Sequence, residues 1–116
     1  MNYNTRIQKG YDGWNAKSEA ELGETPEGTR FLRLQTSKAR VGLASTASVF
    51  VRSMQSGMPV ETTILFGDFR KSGIAATACN RVTEKAIEAA HKLALVQMES
   101  LIAEAQAFYS NQAAQA

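Results

Sequence analysis

Three central segments are typical of β-strands, and in the first two of them inward and outward side chains alternate; this pattern limits the fold more than any other feature. The segments are 29–36 (TRFLRLQT), 44–53 (ASTASVFVRS) and 60–66 (VETTILF), and a shorter apolar one follows at 74–78 (IAATA). Successive side chains of a β-strand point to opposite faces, so alternation predicts strands with one buried face. The links between the segments are short, which favours antiparallel pairing. The sequence therefore predicts an α+β protein built on an antiparallel sheet of three to four strands.

A helical pattern follows the strands. Asn80 and Thr83 are both good N-cap residues, and apolar residues then recur at helical spacing to about Ser110. This pattern predicts one long C-terminal helix, or a helix that breaks once. From Leu93 onward the apolar arc is wider than the roughly 100° needed to pack on a sheet, which predicts a homodimer or larger assembly. The predicted subunit contacts are Leu95, Met98, Ile102 and Tyr109.

Residues 1–28 are less clearly patterned. Aromatic and apolar side chains recur at helical spacing between Tyr3 and Trp14, but two glycines interrupt that stretch. We therefore expect an irregular or short-helical N-terminal arm over residues 1–28, ahead of a single α+β domain over residues 29–116.

Positive charge is concentrated in the predicted sheet. Eight basic and two acidic residues lie between Arg30 and Arg81, whereas the formal net charge of the whole chain is +2. Strand alternation places Arg33, Phe50 and Arg52 on the face opposite the core. Arginine side chains commonly bind phosphate, and planar rings commonly stack on bases. The sequence thus predicts a nucleic-acid surface. The predicted phosphate contacts are Arg33, Lys38, Arg40, Arg52, Arg70 and Lys71, and Phe50 is predicted to stack on a base.

Two other interpretations of this surface stay open. Residues 12–29 hold five acidic side chains and one basic one, so this acidic segment can rest on the basic centre of the same or a neighbouring subunit. Alternatively, Phe31 and Phe50 belong to a second packed layer, and the arginines beside them only keep that layer soluble.

The chain offers few groups for catalysis or metal binding. His91 is the only histidine and Cys79 the only cysteine, which is too few for a typical zinc site. We expect no enzymatic activity, no cofactor and no metal. The one exception to consider is chemistry between Cys79 and His91, which would require the strand-to-helix turn to fold back.

The expected location is the cytoplasm, or a particle assembled there. The first residues lack the apolar run of a signal peptide. The helical region carries seven charged or titratable residues between positions 82 and 109, more than a membrane span tolerates, so no membrane partner is expected.

Two families resemble the chain in outline. The order of strands followed by KAIEAAHKLAL (85–95) is similar to the last half of double-stranded-RNA-binding domains, although the lysine cluster of their helix is reduced here to Arg81 and Lys85. A basic antiparallel sheet followed by C-terminal helices also resembles the coat proteins of small single-stranded-RNA phages. In those proteins the sheet faces RNA and the helices lock a dimer; the N-terminal hairpin expected of them is not evident in residues 1–28.

The leading hypothesis is a non-enzymatic, oligomeric RNA-binding protein that uses a basic sheet face, in a coat or packaging role. The alternative is a small protein-binding inhibitor or adaptor, from a phage or mobile element, that acts through the N-terminal arm and exposed aromatic residues. RNA or another phosphate-bearing ligand is the expected partner in the first case, together with further copies of the chain. A docking protein is the expected partner in the second.

Overall fold

The computed structural model describes residues 3–11, 13–40, 42–63, 69–77 and 81–115. Within them, six strands precede two helices. The strands are β1 (Arg6–Gly10), β2 (Gly13–Thr25), β3 (Gly28–Lys38), β4 (Leu43–Gln55), β5 (Met58–Thr63) and β6 (Arg70–Thr77). The helices are α1 (Glu84–Leu95) and α2 (Met98–Gln115).

All six strands belong to one antiparallel sheet. Strands β1 to β5 pair in chain order, and β6 pairs with β4 as well. This is possible because β4 is 13 residues long: residues 43–48 pair with β6, and residues 50–55 pair with β5. The prediction of a three- to four-stranded sheet is therefore wrong, and the difference lies mainly in the N-terminal strands.

The prediction of an irregular or short-helical arm over residues 1–28 is wrong. Strands β1 and β2 form a hairpin that closes at the pair Gly10 and Gly13, and β2 continues along β3. The glycines that interrupt the helical spacing mark the turn, where Gly13 has a φ of 109° that favours glycine. In β2 the residues 15–21 (NAKSEAE) alternate in the two-residue period of a strand. The spacing of the aromatic residues concealed that shorter period.

The C-terminal region is not one long helix, because α1 ends at Leu95 and α2 begins at Met98. Thr83 is the N-cap of α1, and its hydroxyl accepts a hydrogen bond from the backbone N–H of Ala86 at 3.1 Å. At the break, the side chain of Gln97 donates to the carbonyl of Ile74 at 2.8 Å. This bond ties the corner between the helices to β6. No helix among the described residues is long and apolar enough to cross a membrane.

The core lies between the helices and one face of the sheet. Even-numbered residues of β3 and odd-numbered residues of β4 point to that face, as the strand period requires. The larger buried cluster comprises Leu32, Leu34, Ala47, Val49, Ile74, Ala94, Met98, Leu101 and Ala105. A smaller cluster under α1 comprises Ala16, Leu43, Ile87 and Ala90. The opposite face of the sheet is left without a helix and carries the charged side chains discussed next.

Candidate nucleic-acid interface

We call the face that points away from α1 and α2 the outer face. Its residues alternate with buried ones such as Ser18, Leu34 and Ala47, which face the helices. Strand register then assigns the outer side chains of all the paired strands. They include Arg6, Lys17, Glu19, Glu21, Glu24, Phe31, Arg33, Gln35, Thr46, Ser48, Phe50, Arg52, Glu61 and Arg70.

Four of these side chains form one ion-pair cluster. Arg33 lies directly opposite Glu19 in the sheet, and Arg52 lies opposite Glu61. Arg33 contacts Glu19 at 2.7 Å and Glu61 at 3.1 Å. Arg52 contacts Glu61 at 2.7 Å and Glu19 at 3.1 Å. Each arginine therefore bridges both carboxylates, and the four charges cancel.

Burial and pairing shift the titration of this cluster. Burial alone would raise the pKa of Glu19, but hydrogen bonds and charge from Arg33 and Arg52 outweigh it and hold that pKa below its usual value. The hydrogen bond from Arg52 lowers the pKa of Glu61 and, in return, raises the pKa of Arg52. Glu19 and Glu61 are thus ionised at neutral pH, and their two negative charges offset the guanidinium groups of Arg33 and Arg52.

Two aromatic rings lie beneath the cluster. Phe31 and Phe50 are direct cross-strand partners, and their rings stack with centroids 5.4 Å apart. The guanidinium of Arg33 lies 4.2 Å from the centroid of Phe50, and that of Arg52 lies 4.8 Å from the centroid of Phe31. Phe50 is only 3% exposed. Its ring is covered by its own chain, so this geometry leaves no open face for stacking on a base.

The geometry of the cluster favours the two alternatives to phosphate binding: an acidic segment that rests on the basic centre, and a second packed layer of aromatic rings. Glu19, from the acidic segment, rests on the basic centre of the same chain. Phe31 and Phe50 form a small second packed layer under the arginines. Arg33 and Arg52 are consequently engaged within the subunit and do not present free guanidinium groups to phosphate.

The other residues assigned to phosphate from the sequence lie in three places. Lys38 and Arg40 are exposed at the end of β3 and just beyond it. Arg70 is exposed on the outer face, opposite Ser48. Lys71 points to the other face, where its ammonium contacts Glu104 of α2 at 3.1 Å. Of these four residues, only Arg70 is placed on the outer face by the strand register; Lys38 and Arg40 lie at the end of the sheet.

A second part of the outer face is polar and basic. Four side chains form a row across neighbouring strands: Arg6 lies opposite Lys17, Lys17 opposite Gln35, and Gln35 opposite Thr46. We call this row, together with the neighbouring pair of Ser48 and Arg70, the basic band. It holds three cations, two hydroxyl groups and one amide, and no carboxylate.

The basic band was not found from the sequence, because Arg6 and Lys17 lie in the segment that was interpreted as an irregular or short-helical arm. Among the described residues, no carboxylate lies within ion-pair distance of Arg6, Lys17 or Arg70. The signal that would have found it is the alternation of small residues (Ala16, Ser18, Ala20) with longer polar ones, which puts Lys17 on the outward side of a strand.

The sheet curls between its two edges. Arg6 of β1 and Pro59 of β5 line one cavity of about 510 Å³, together with Asn4 and residues of the ion-pair cluster. Arg6 therefore stands where the basic band meets the cluster. Because the cluster is neutral, the positive charge of the band is not offset by it.

The residues assigned to a subunit interface are mostly engaged within the chain. Met98 is fully buried in the core, and Leu95, Ile102 and Tyr109 are partly buried against it. The apolar surface that stays open on the helices lies at the end of α1. Leu93 is 62% exposed and Val96, just beyond α1, is 82% exposed. These two side chains are more exposed than the four assigned from the sequence.

His91 lies in a buried chain of hydroxyl groups. Its Nε2 is 2.7 Å from the hydroxyl of Ser18, and its Nδ1 is 2.7 Å from the hydroxyl of Thr36. Ser18 continues to Thr5 at 2.6 Å, and Thr36 continues to Ser45 at 2.7 Å. Ser18 and His91 are at most 2% exposed, so this serine–histidine pair is shielded from solvent. Cys79, its partner in the catalytic exception, lies outside the described residues.

The His91 network predicts a loss of stability in mild acid. Burial lowers the pKa of His91 in the folded protein. As the pH falls, His91 is therefore protonated at a higher pH in the unfolded chain than in the folded one. The stabilisation is complete above the unfolded value of 6.5 and declines as the pH falls below it. The denaturant concentration at the unfolding midpoint should decrease as the pH is lowered below 6.5. The His91→Gln variant should show a smaller decrease. An equal pH dependence in the variant would show that another group is responsible.

Comparison of the chain with models of protein families, with curated proteins and with solved structures finds no match.

Proposed function

We propose that this chain is a non-enzymatic RNA-binding protein that assembles into oligomers, in a coat or packaging role. The observation that carries the proposal is the basic band. Three cations lie on neighbouring strands beside hydroxyl and amide groups, and the carboxylates of the adjoining cluster are already paired. Arginine and lysine supply the phosphate contacts that dominate affinity for nucleic acid. Hydroxyl and amide groups supply hydrogen bonds to sugars and bases.

The placement of the helices supports the same proposal. Both helices pack on one face of the sheet, so the outer face can meet RNA without moving a structural element. The β1–β2 hairpin also supplies the N-terminal feature that phage coat proteins are expected to have and that the sequence pattern concealed. Lys38 and Arg40 extend the positive charge beyond the end of β3.

The experiment that tests the proposal is a titration of the purified protein with single-stranded RNA at several salt concentrations. Binding through phosphate contacts releases counterions, so the logarithm of the affinity should fall linearly and steeply with the logarithm of the salt concentration. Absence of binding at low salt would contradict the proposal. The alternative function, a protein-binding adaptor, predicts no RNA binding. The N-terminal segment that would serve as its docking arm forms strands β1 and β2 of the sheet.

Self-association is the second part of the proposal and gives a separate prediction. Leu93 and Val96 are two exposed apolar side chains at the end of α1, and exposed apolar surface is typical of protein interfaces. Replacing both with glutamate should reduce the molar mass measured by light scattering to that of a monomer, because buried unpaired charges oppose association. Ala103→Glu with Ala107→Glu is the matched control, since both alanines are exposed on α2. An unchanged mass in the first variant would exclude these two side chains as the interface.

A further inference from the structure

A small pocket opens where the β1–β2 hairpin meets the end of β3. Tyr11, Trp14 and Asn15 line it from the hairpin, and Gln35, Ser37 and Lys38 line it from β3. We call it the hairpin pocket. Its volume is about 230 Å³, below the ~300–1,000 Å³ of pockets that hold drug-sized ligands. It therefore suits a single ring system rather than a whole nucleotide.

Asn15, one of the residues that line the hairpin pocket, carries an unpaired hydrogen-bond acceptor. The side-chain oxygen Oδ1 of Asn15 is buried and has no hydrogen-bond partner among the described residues. Buried polar atoms in folded proteins nearly always have a partner, since leaving one unpaired destabilises the protein. A buried acceptor without a donor is the arrangement expected of a site that receives an N–H group from a ligand.

The other walls of the pocket indicate the class of that ligand. Tyr11 is fully exposed, so its planar ring is available at the mouth, whereas Trp14 packs against the buried cluster under α1. Lys38 adds an exposed ammonium group at the rim. Gln35 belongs both to the pocket and to the basic band, where it pairs with Lys17. An RNA strand on the basic band thus passes the pocket directly.

We infer that the hairpin pocket is a nucleobase subsite that takes one base with an exocyclic amino group from RNA on the basic band. The amino N–H donates to Oδ1 of Asn15, an aromatic ring stacks on the base, and Lys38 contacts the adjoining phosphate. Uracil presents a carbonyl oxygen where cytosine presents its amino group, so uracil meets Oδ1 with a second acceptor. This inference rests on the proposed RNA binding.

Cytosine and uracil have nearly the same shape, so oligomers of the two provide the sharpest test. The protein should bind oligocytidylate about three- to tenfold more tightly than oligouridylate of equal length, the effect expected of one hydrogen bond. Asn15→Ala should abolish this preference while leaving the salt dependence unchanged. Its thermal midpoint should not fall, because the substitution removes a buried acceptor that has no partner.

The matched control is Gln8→Ala, which removes an exposed amide directly opposite Asn15 but outside the pocket. It should keep the preference for oligocytidylate. Equal binding of the two oligomers by the unaltered protein, or a preference that survives Asn15→Ala, would overturn the subsite and leave the proposed function standing. Failure of both oligomers to bind would overturn the proposed function as well.

Discussion

Simultaneous replacement of Arg6, Lys17 and Arg70 by glutamine should weaken the binding of single-stranded RNA by about 100-fold at 0.1 M salt. Each phosphate contact on a single strand contributes about 0.7 to the slope of log affinity against log salt, so three lost contacts reduce that slope by about 2. If both proteins bind equally near ~1 M salt, where exposed charges are screened, a slope difference of 2 gives this factor at ~0.1 M. Fluorescence anisotropy with labelled RNA measures both quantities.

The control is a second triple variant with the same change of net charge. Lys71, Lys85 and Lys92 are exposed and lie on the helix side of the molecule, where Lys71 contacts Glu104 and Lys92 contacts Glu88. Their replacement by glutamine should change the affinity only slightly, because these side chains do not face the basic band. Equal losses in the two triple variants would mean that total charge, and not the outer face, determines binding.

Glu19→Ala should lower the free energy of unfolding by about 3 kcal/mol, the largest loss expected from any carboxylate of the outer face. The side chain of Glu19 is only 4% exposed and pairs with both Arg33 and Arg52. Removing one member of a buried ion pair leaves a charge without its partner and typically destabilises a protein by ~3–5 kcal/mol. Because Glu61 would still pair with both arginines, we expect a loss at the lower end of that range. Denaturant titration at neutral pH measures the change.

Glu61→Ala is the matched control for that prediction. Glu61 contacts the same two arginines, but its side chain is 37% exposed, and exposed ion pairs contribute only ~0–1 kcal/mol. Similar losses in the two variants would contradict the view that burial makes Glu19 the centre of the cluster. The lowered pKa values of both carboxylates add a pH dependence: their stabilisation is complete above the unfolded-state pKa of 4.5 and declines as the pH falls through the folded-state values.

The central strands of the fold could be predicted from the sequence, because one side of each faces the helices. The segments 29–36 and 44–53 lie within β3 and β4, whose buried leucines and valines alternate with polar residues. In β2 the inward residues are small, such as Ala16 and Ser18, so the hydrophobic contrast is weak. The helical spacing of nearby aromatic residues then outweighed a real two-residue period, and the sheet was predicted too small.

The candidate site could not be derived without β2. Glu19 meets Arg33 only because the register of β2 against β3 places them opposite each other, and register depends on the whole pairing. The sequence therefore assigned phosphate to two arginines that the chain neutralises itself. The same missing strand hid Lys17, whose position beside Gln35 creates the basic band.

The most direct test of the central claim is a titration of the isotope-labelled protein with single-stranded RNA, followed by the chemical shifts of its backbone amides. We expect the amide signals of Arg6, Lys17, Thr46, Ser48 and Arg70 to shift together and to yield one dissociation constant, while the signals of the exposed residues of α1 and α2 stay unchanged. Shifts confined to the helices, or no shifts at low salt, would contradict the assignment of the outer face as the RNA-binding surface.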